Sequence, residues 1–252
     1  MNISTRIIKN ILKNSVVIFL YHDVSNKPSP FSKKYNVLNI SPDIFYSQVK
    51  AINNLFNIIS PTDLIDGDFK RPAALFTFDD GYRNYIDNAL PILDQYSFKS
   101  IVFLIAKNLN DKSGKYISSN DLKLLVKHTG VTVGAHGYSH VDLSSLSDEH
   151  LARELEDIRE VFNPIGFGTN YFSLPFGRAN DNVISELVEQ GYTDIFTSDY
   201  GSGVINKNGK NIYPRIDIWS DDSDNIIKQK IMQYWKLFFI IESYRSKLYR
   251  VN

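Results

Sequence analysis

The strongest constraint on the fold of this chain is the alternation of β-rich runs with runs of helical periodicity. Such alternation is typical of α/β architecture, in which helices pack against a mostly parallel sheet. We predict strands at Val16–Tyr21, Asn57–Ile59, Ala73–Phe78, Ser100–Ile105, Val131–Gly134, Tyr171–Leu174, Thr193–Thr197 and Ile212–Ile218. A length of 252 residues suits one α/β barrel as well as two smaller domains. Because the sequence contains neither an internal repeat nor a Pro/Ser-rich linker, we expect one domain spanning residues 1–252.

Helices are predicted between the strands from their capping residues. Ser41 with Pro42, Ser147 with acidic residues after it, and Gly191 are typical of helix ends. We predict helices over Ile44–Leu55, from the cap at Ser147 to about Phe162, over Asp181–Gln190, and from about Ser223 to Lys247. The terminal segments 1–15 and 223–252 are expected to form peripheral helices of the domain.

The charge balance and the absence of cysteine exclude several classes of partner and site. Lys plus Arg and Asp plus Glu number 28 each, whereas a nucleic-acid-binding protein usually carries a basic surplus. With no cysteine, neither a disulfide nor a thiolate metal site can form. Any metal ion must therefore be held by histidine and carboxylate side chains.

The apolar segments are too short for a membrane-spanning helix, which requires roughly 20 apolar residues. Met1–Ser15 lacks an apolar core followed by a small-residue cleavage site, so we expect a cytoplasmic protein. The run Tyr234–Ile241 and the basic residues after it favour a helix that closes the barrel. Peripheral contact with an anionic membrane surface is the alternative.

Two adjacent carboxylates, Asp79 and Asp80, follow the apolar strand Ala73–Phe78 and precede Gly81. The carboxyl ends of strands form the active-site rim of α/β barrels, and two neighbouring like charges suggest a cation or a shared proton nearby. An ordinary acidic turn explains the same residues equally well.

Two of the five histidines, His136 and His140, lie four residues apart directly after the predicted strand Val131–Gly134. This spacing can point both imidazoles at one divalent metal ion, and the alternative is a pair of incidental loop histidines. Together with Asp80 they would form a His₂Asp ligand set with a position left open for water or substrate, which is typical of catalytic zinc. Asp79 would then be free to act as a general base.

Three segments in this order, Thr77–Gly81, His136–His140 and Leu174–Gly177, resemble the first motifs of the polysaccharide deacetylases, the NodB-homology domain of carbohydrate esterase family 4. The resemblance runs from about Val16 to Ile218. It implies a distorted (β/α) barrel, in agreement with the predicted strands and helices.

The resemblance also implies roles for individual residues. Asp79 corresponds to the catalytic base, and Asp80, His136 and His140 correspond to the ligands of one divalent metal ion. Zinc suits these donors best, with cobalt or nickel as further candidates. The backbone N–H of Phe176, in the loop after Pro175, corresponds to the donor that stabilises the oxyanion.

The chain departs from many family members at two places. Ser173 stands where an arginine usually begins the third motif, and no histidine follows His150 to act as general acid. However, Leu20–Val24 resembles a motif of the poly-N-acetylglucosamine deacetylase subgroup, in which an early histidine is the acid. By that resemblance His22 protonates the leaving amine. Asp199 could orient His22, or could belong to a plain turn.

Arg215 lies in the run Tyr213–Asp217, which ends the predicted barrel pattern, and could supply the positive charge that is missing at Ser173. We hypothesise that it pairs with Asp79 or Asp80. A salt bridge to Asp217, or exposure at the surface, is the alternative.

Other polar and aromatic residues receive weaker assignments. Tyr82 and Tyr138 flank the motifs and could stack on a sugar ring, although core packing is the commoner role of tyrosine. His128 and His150 are predicted to be solvated residues of helices.

We therefore expect a metal-dependent hydrolase that removes an acyl group, N-acetyl in the first instance, from an amino sugar of a cell-surface glycan or its precursor. A glycan O-acetyl esterase and an inactive carbohydrate-binding member of the family are the alternatives. A glycoside hydrolase is disfavoured, because its two carboxylates must lie about 5 Å or more apart across the sugar.

Overall fold

The computed structural model describes residues 13–26, 37–199, 205–207 and 210–232. Strands β1 to β12 in these residues are Val16–Tyr21, Asp23–Val24, Asn39–Ile40, Asn57–Ile58, Ala73–Phe78, Ser100–Leu104, Val131–Ala135, Tyr171–Ser173, Asp194–Phe196, Ile205–Lys207, Lys210–Tyr213 and Ile216–Asp217. Helices α1 to α7 are Pro42–Asn53, Pro61–Asp66, Leu90–Gln95, Ser119–Leu125, Asp148–Phe162, Asp181–Glu189 and Asp224–Met232.

One parallel sheet dominates the structure. Its strand order is β10-β11-β9-β8-β7-β6-β5-β1-β12, with β4 paired beside β5, and the pairing of β10 with β11 is antiparallel. The sheet curls into a half-barrel with flanking helices, which confirms the predicted α/β barrel. Strands β2 and β3 form a separate parallel pair at one end.

The central strands are buried on both faces, as parallel strands covered by helices must be. In β1, Val17 and Phe19 pack in the larger core between the sheet and the helices. The alternate residues Val16 and Ile18 point to the opposite, concave side and pack there with Phe103. The near-continuous apolar runs of the sequence are thus explained by burial on both faces.

The predicted helix starts are confirmed by their capping contacts. The Ser41 side chain accepts a hydrogen bond from the Ile44 N–H, with Pro42 in the first turn of α1. Ser147 accepts in the same way from His150 at the start of α5. Each cap satisfies a backbone N–H that has no partner inside the helix, so the helix begins at that residue.

The predicted strand Ile212–Ile218 is wrong in one respect, because the structure divides it into β11 and β12. Pro214 has no N–H to donate to a sheet ladder, so the strand is interrupted there. Strand β11 pairs with β9, whereas β12 pairs with β1 at the opposite end of the strand order. The intervening Arg215 is therefore directed into the half-barrel, where it is fully buried.

The terminal predictions are only partly testable in the described residues. Helix α7, Asp224–Met232, confirms the beginning of the last predicted helix, Ser223–Lys247. The rest of that helix, the run Tyr234–Ile241 and most of Met1–Ser15 lie outside the described residues. Within the described part of the chain, no helix has the length and apolar character needed to cross a membrane.

Candidate active site

The acidic pair lies at the carboxyl end of the central strand β5. The backbone turns sharply here, with φ of 72° at Asp80 and 67° at Gly81. A Cβ added at Gly81 would lie 2.8 Å from a Leu104 side-chain carbon, so the turn requires glycine for space as well as for φ. The Asp79 N–H donates to the Tyr21 carbonyl on β1. The two carboxylates consequently diverge, Asp79 into the half-barrel and Asp80 towards the histidines.

Asp80, His136 and His140 converge as the sequence predicted. Asp80 Oδ1 lies 3.5 Å from His136 Nε2 and 3.4 Å from His140 Nε2. One ligand atom from each of the three residues lies within 4.8 Å of the other two. Asp80 Oδ1 is buried and accepts no hydrogen bond from the described residues. A buried carboxylate oxygen facing two imidazole nitrogens fits a divalent metal ion.

The orientation of His136 is fixed by its other ring nitrogen. His136 Nδ1 lies 2.8 Å from the Ser173 carbonyl oxygen on β8. Because a carbonyl can only accept, Nδ1 carries the proton and Nε2 is left to face Asp80. Hydrogen bonding of the outer ring nitrogen is usual for a metal-binding histidine.

Protonation states at this cluster suit a cation site. Burial lowers the pKa of His140 to about 4, so this imidazole is neutral at neutral pH. Burial raises the pKa of Asp80, but His136 and His140 together bring it below its ordinary value. Burial lowers the pKa of His136, whereas the charges of Asp79 and Asp80 raise it above its ordinary value. The negative charges of Asp79 and Asp80 therefore favour a positive charge beside His136.

Asp79 forms a bidentate ion pair with Arg215. Arg215 Nη1 donates to Asp79 Oδ1 at 2.8 Å, and Nη2 donates to Oδ2 at 2.7 Å. The hypothesis that Arg215 pairs with Asp79 is confirmed, and the alternatives of Asp217 or the surface are wrong. Burial raises the pKa of Asp79, but Arg215 and then His136 lower it overall, so this carboxyl stays ionised.

Ser173 forms hydrogen bonds with both members of the Asp79–Arg215 ion pair. Its hydroxyl donates to Asp79 Oδ2 at 2.9 Å and accepts from Arg215 Nη2 at 2.8 Å. Arg215 also donates to the Thr197 carbonyl, and its guanidinium lies over the Phe103 ring at 5.6 Å from the centroid. The short side chain of Ser173 leaves the space that the guanidinium of Arg215 occupies.

His22 lies at the end of β1 on the wall of the same cavity. Its ring is half-buried, and its Nδ1 atom is buried without a hydrogen-bond partner in the described residues. The Asp199 side chain is exposed, and Asp199 contributes its backbone carbonyl to the Arg215 N–H. These features fit the plain-turn alternative for Asp199, and its role in orienting His22 stays a prediction.

The third motif forms a tight turn against the histidines. Pro175 is buried, and Phe176 has φ of 58° with a ring centroid 4.7 Å from that of His140. A Cβ added at Gly177 would lie 2.5 Å from the Ser198 backbone nitrogen. The turn is therefore closely packed against Ser198, and Phe176 lies beside His140.

The two candidate tyrosines differ in their environment. Tyr82 lines the cavity and stacks on Tyr116 with ring centroids 5.4 Å apart. Burial, followed by the charge of Asp80, raises the pKa of Tyr82, which is therefore a phenol at every working pH. Tyr138 packs against the hydrophobic core, which was the alternative to stacking on a sugar ring.

The two remaining histidines lie outside the cluster, as expected. His150 is in the first turn of α5 and pairs with Ser147. His128 lies in the turn beyond α4 rather than within a helix, and its Nε2 is 3.3 Å from Asp94.

A cavity of about 470 Å³ opens above these groups. Sequence analysis missed several of its lining residues, namely Asp23, Asn39, Tyr116, Asp217 and Trp219. Asp217 could have been found, because it ends a strand whose carboxyl end faces the site. Asn39 begins the two-residue strand β3 and Tyr116 lies in a connecting segment, and no motif marks either residue.

The chain is similar in sequence to known deacetylases. The profile of the family described as polysaccharide deacetylase matches residues 66–195. The Bacillus subtilis proteins named putative polysaccharide deacetylase YxkH and peptidoglycan-N-acetylmuramic acid deacetylase PdaA are each 26% identical, over 192 and 178 residues. These alignments cover 73% and 69% of this chain but 65% and 63% of the relatives, so the chain spans less than two thirds of either.

The fold is shared with solved deacetylases. Streptococcus pyogenes deacetylase PplD superimposes with a TM-score of 0.73 at 23% identity, over 86% of this chain and 98% of that one. Because the family match spans more than half of the sequence and the half-barrel agrees with it, the chain belongs to the polysaccharide deacetylase family, the NodB-homology group of carbohydrate esterase family 4.

Proposed function

We propose that the chain is a metal-dependent hydrolase that removes an acyl group, N-acetyl in the first instance, from an amino sugar of a cell-surface glycan or its precursor. One observation carries the proposal. Asp80, His136 and His140 converge within 4.8 Å, and Asp79 lies beside them at the carboxyl end of β5. Relatives named for peptidoglycan and chitin deacetylation support an amino-sugar substrate.

Asp80, His136 and His140 would hold the divalent ion, and zinc suits their mixed nitrogen and oxygen donors. When bound, such an ion supplies a Lewis acid for the acyl oxygen and makes water easier to deprotonate. The chain leaves room for substrate at this place, because the cavity of about 470 Å³ lies directly above the three ligands.

Asp79 is proposed as the general base that takes a proton from the attacking water. It is 3% exposed, and Arg215 fixes both carboxylate oxygens in one orientation. The ion pair lowers its basicity, so its catalytic value lies in being ionised and fixed in place rather than in a high pKa.

His22 and Phe176, which both line the cavity, are proposed to complete the reaction. The Phe176 N–H, held by the tight turn beside His140, would donate to the oxygen that becomes negative, a contribution of about 10²–10³ in kcat for comparable donors. His22 would protonate the nitrogen as acetate leaves, because an amine is a poor leaving group without a proton.

Metal analysis combined with acetate release from N-acetylated oligosaccharides tests the proposal. We expect the purified protein to hold a stoichiometric divalent ion and to release acetate, and Asp80→Ala to lose both. Asp87→Ala is the matched control, because Asp87 is exposed and pairs with Arg83 away from the cavity. A wild-type protein that neither binds a divalent ion nor releases acetate would contradict the proposal.

A further inference from the structure

We infer that Glu154 is a positioning residue, which sets the conformation of the histidine loop, His136–His140, and through it the affinity for the metal ion. This inference rests on the proposed function, because it concerns the same ion. Glu154 lies on α5 outside the cavity, so it would act through the loop rather than on the substrate.

Both oxygens of the Glu154 carboxylate accept hydrogen bonds from the middle of the histidine loop. Oε1 accepts from the N–H groups of Tyr138 at 2.9 Å and Ser139 at 2.7 Å. Oε2 accepts from the Ser139 hydroxyl at 2.8 Å. Both N–H groups belong to residues between the two metal-binding histidines, so a single carboxylate fixes the peptide planes that join them.

The opposite side of the loop is also fixed. The Gly137 and Tyr138 carbonyls accept from the N–H groups of Ala106 and Lys107, both at 3.0 Å. The loop thus lies between the end of β6 and helix α5, with its carbonyls bonded to one and its N–H groups to the other. Removing Glu154 would release the N–H side alone.

The loop needs this support because its backbone is unusual. Gly137 has φ of 76° and His140 has φ of 60°, and a left-handed conformation is unfavourable for a histidine. A Cβ added at Gly137 would lie 3.2 Å from Pro175 and 3.5 Å from Glu154 Oε1, so the loop is closely packed from both sides. The left-handed His140 directs its ring to Asp80, which lies 3.4 Å away.

The burial of Glu154 distinguishes it from the other acidic residues of α5. Glu154 is 8% exposed and, within the described residues, forms no ion pair with lysine or arginine. Glu156 and Glu160 are exposed and lie near Arg153 on the helix surface. Burying a carboxylate costs free energy unless hydrogen bonds satisfy it, and the loop N–H groups do so for Glu154. The carboxylate also adds negative charge near the proposed cation site.

Titration of the metal-free protein with Co²⁺ tests the inference without a substrate. We expect Glu154→Ala to raise the Kd by about 10-fold or more, as loss of supporting contacts around metal ligands does. It should also change the visible spectrum of the bound Co²⁺. Glu154→Gln, whose amide oxygen can still accept both N–H groups, should recover part of the affinity. Glu156→Gln is the matched control and should leave the Kd unchanged.

The outcomes separate this inference from the proposed function. A Kd and a Co²⁺ spectrum in Glu154→Ala equal to those of Glu156→Gln would overturn the positioning role alone. Wild-type protein that binds no Co²⁺ would contradict the proposed function and the inference together. If Glu154→Ala fails to fold, the Kd and the Co²⁺ spectrum are measured for Glu154→Asp instead. Its side chain is one methylene shorter, so its carboxylate lies farther from the loop N–H groups.

Discussion

Arg215 and Asp79 face each other through two nearly equal hydrogen bonds, 2.8 and 2.7 Å, although 136 residues separate them in the chain. Arg215 comes from the break between β11 and β12, and Asp79 from the end of β5. Ser173 bridges the two from a third strand. The positive charge beside the proposed base is therefore supplied from the end of the barrel rather than from the third motif.

Replacing Arg215 should move the acid side of the pH profile. In Arg215→Met the charge that lowers the pKa of Asp79 is lost, while burial, which raises that pKa, remains. The base is active only when ionised, so activity should be lost at a higher pH than in the wild type as the pH falls. The pH dependence of kcat/KM measures this shift. Arg178→Met, at an exposed arginine, should leave the profile unchanged, and an equal profile in both variants would contradict the prediction.

Substitutions at Asp79 and His136 should separate chemistry from metal binding. Asp79→Asn removes the proposed proton acceptor but none of the three ligands, so turnover should be lost while the metal content stays stoichiometric. His136→Ala removes a ligand, so both should be lost. Acetate release and metal analysis on the same preparations measure the two effects. Near wild-type turnover in Asp79→Asn would show that another group is the base.

His22 should matter more for an amide than for an ester. An alkoxide leaves with less need of a proton than an amine does, so His22→Ala should abolish acetate release from N-acetyl substrates and spare a matched O-acetyl substrate. Comparison of kcat on the two substrates checks this. Loss on both substrates to the same degree would exclude His22 as the acid, and a wild-type preference for the ester would favour the O-acetyl esterase alternative.

Much of the fold and of the metal cluster follows from the sequence for physical reasons. Strands buried on both faces read as apolar runs, and caps such as Ser41 and Ser147 mark helix starts through a local hydrogen bond. Asp80, His136 and His140 follow strand ends, where the topology of parallel sheets brings side chains together. These features depend on local pattern and on one topological rule.

Other features depend on contacts between distant segments, which no local pattern encodes. Pro214 is a local signal for the division of Ile212–Ile218, but no local signal shows that β12 pairs with β1. Glu154 carries no signal in the sequence, because it reads as one more acidic residue on an amphipathic helix. The link between Asp199 and His22 stays a prediction, since proximity to a strand end does not fix the direction of a side chain.

A second buried ion pair supports the wall of the cavity opposite the histidines. Lys230 on α7 is fully buried and donates to Asp222 Oδ2 at 2.6 Å and to the Asp217 carbonyl at 3.0 Å. Its Nζ lies 4.8 Å from the Trp219 ring centroid, and Asp222 Oδ2 accepts from the Trp219 N–H. Asp217 and Trp219 line the cavity, so this pair holds their segment in place.

Lys230→Met should therefore lower the free energy of unfolding by about 3–5 kcal/mol, because it leaves a buried carboxylate without its partner. Burial already raises the pKa of Asp222 against the opposing charge of Lys230, so loss of that charge would favour the protonated carboxyl further.

The double variant Asp222→Asn/Lys230→Met removes both charges and should recover a large part of the lost stability, as denaturant unfolding would measure. Lys228→Met, two residues earlier on α7 and only half-buried, is the control. If the double variant were no more stable than Lys230→Met, the ion pair would not be the source of the stabilisation, and the contacts of Lys230 Nζ with the Trp219 ring and the Asp217 carbonyl would explain it instead.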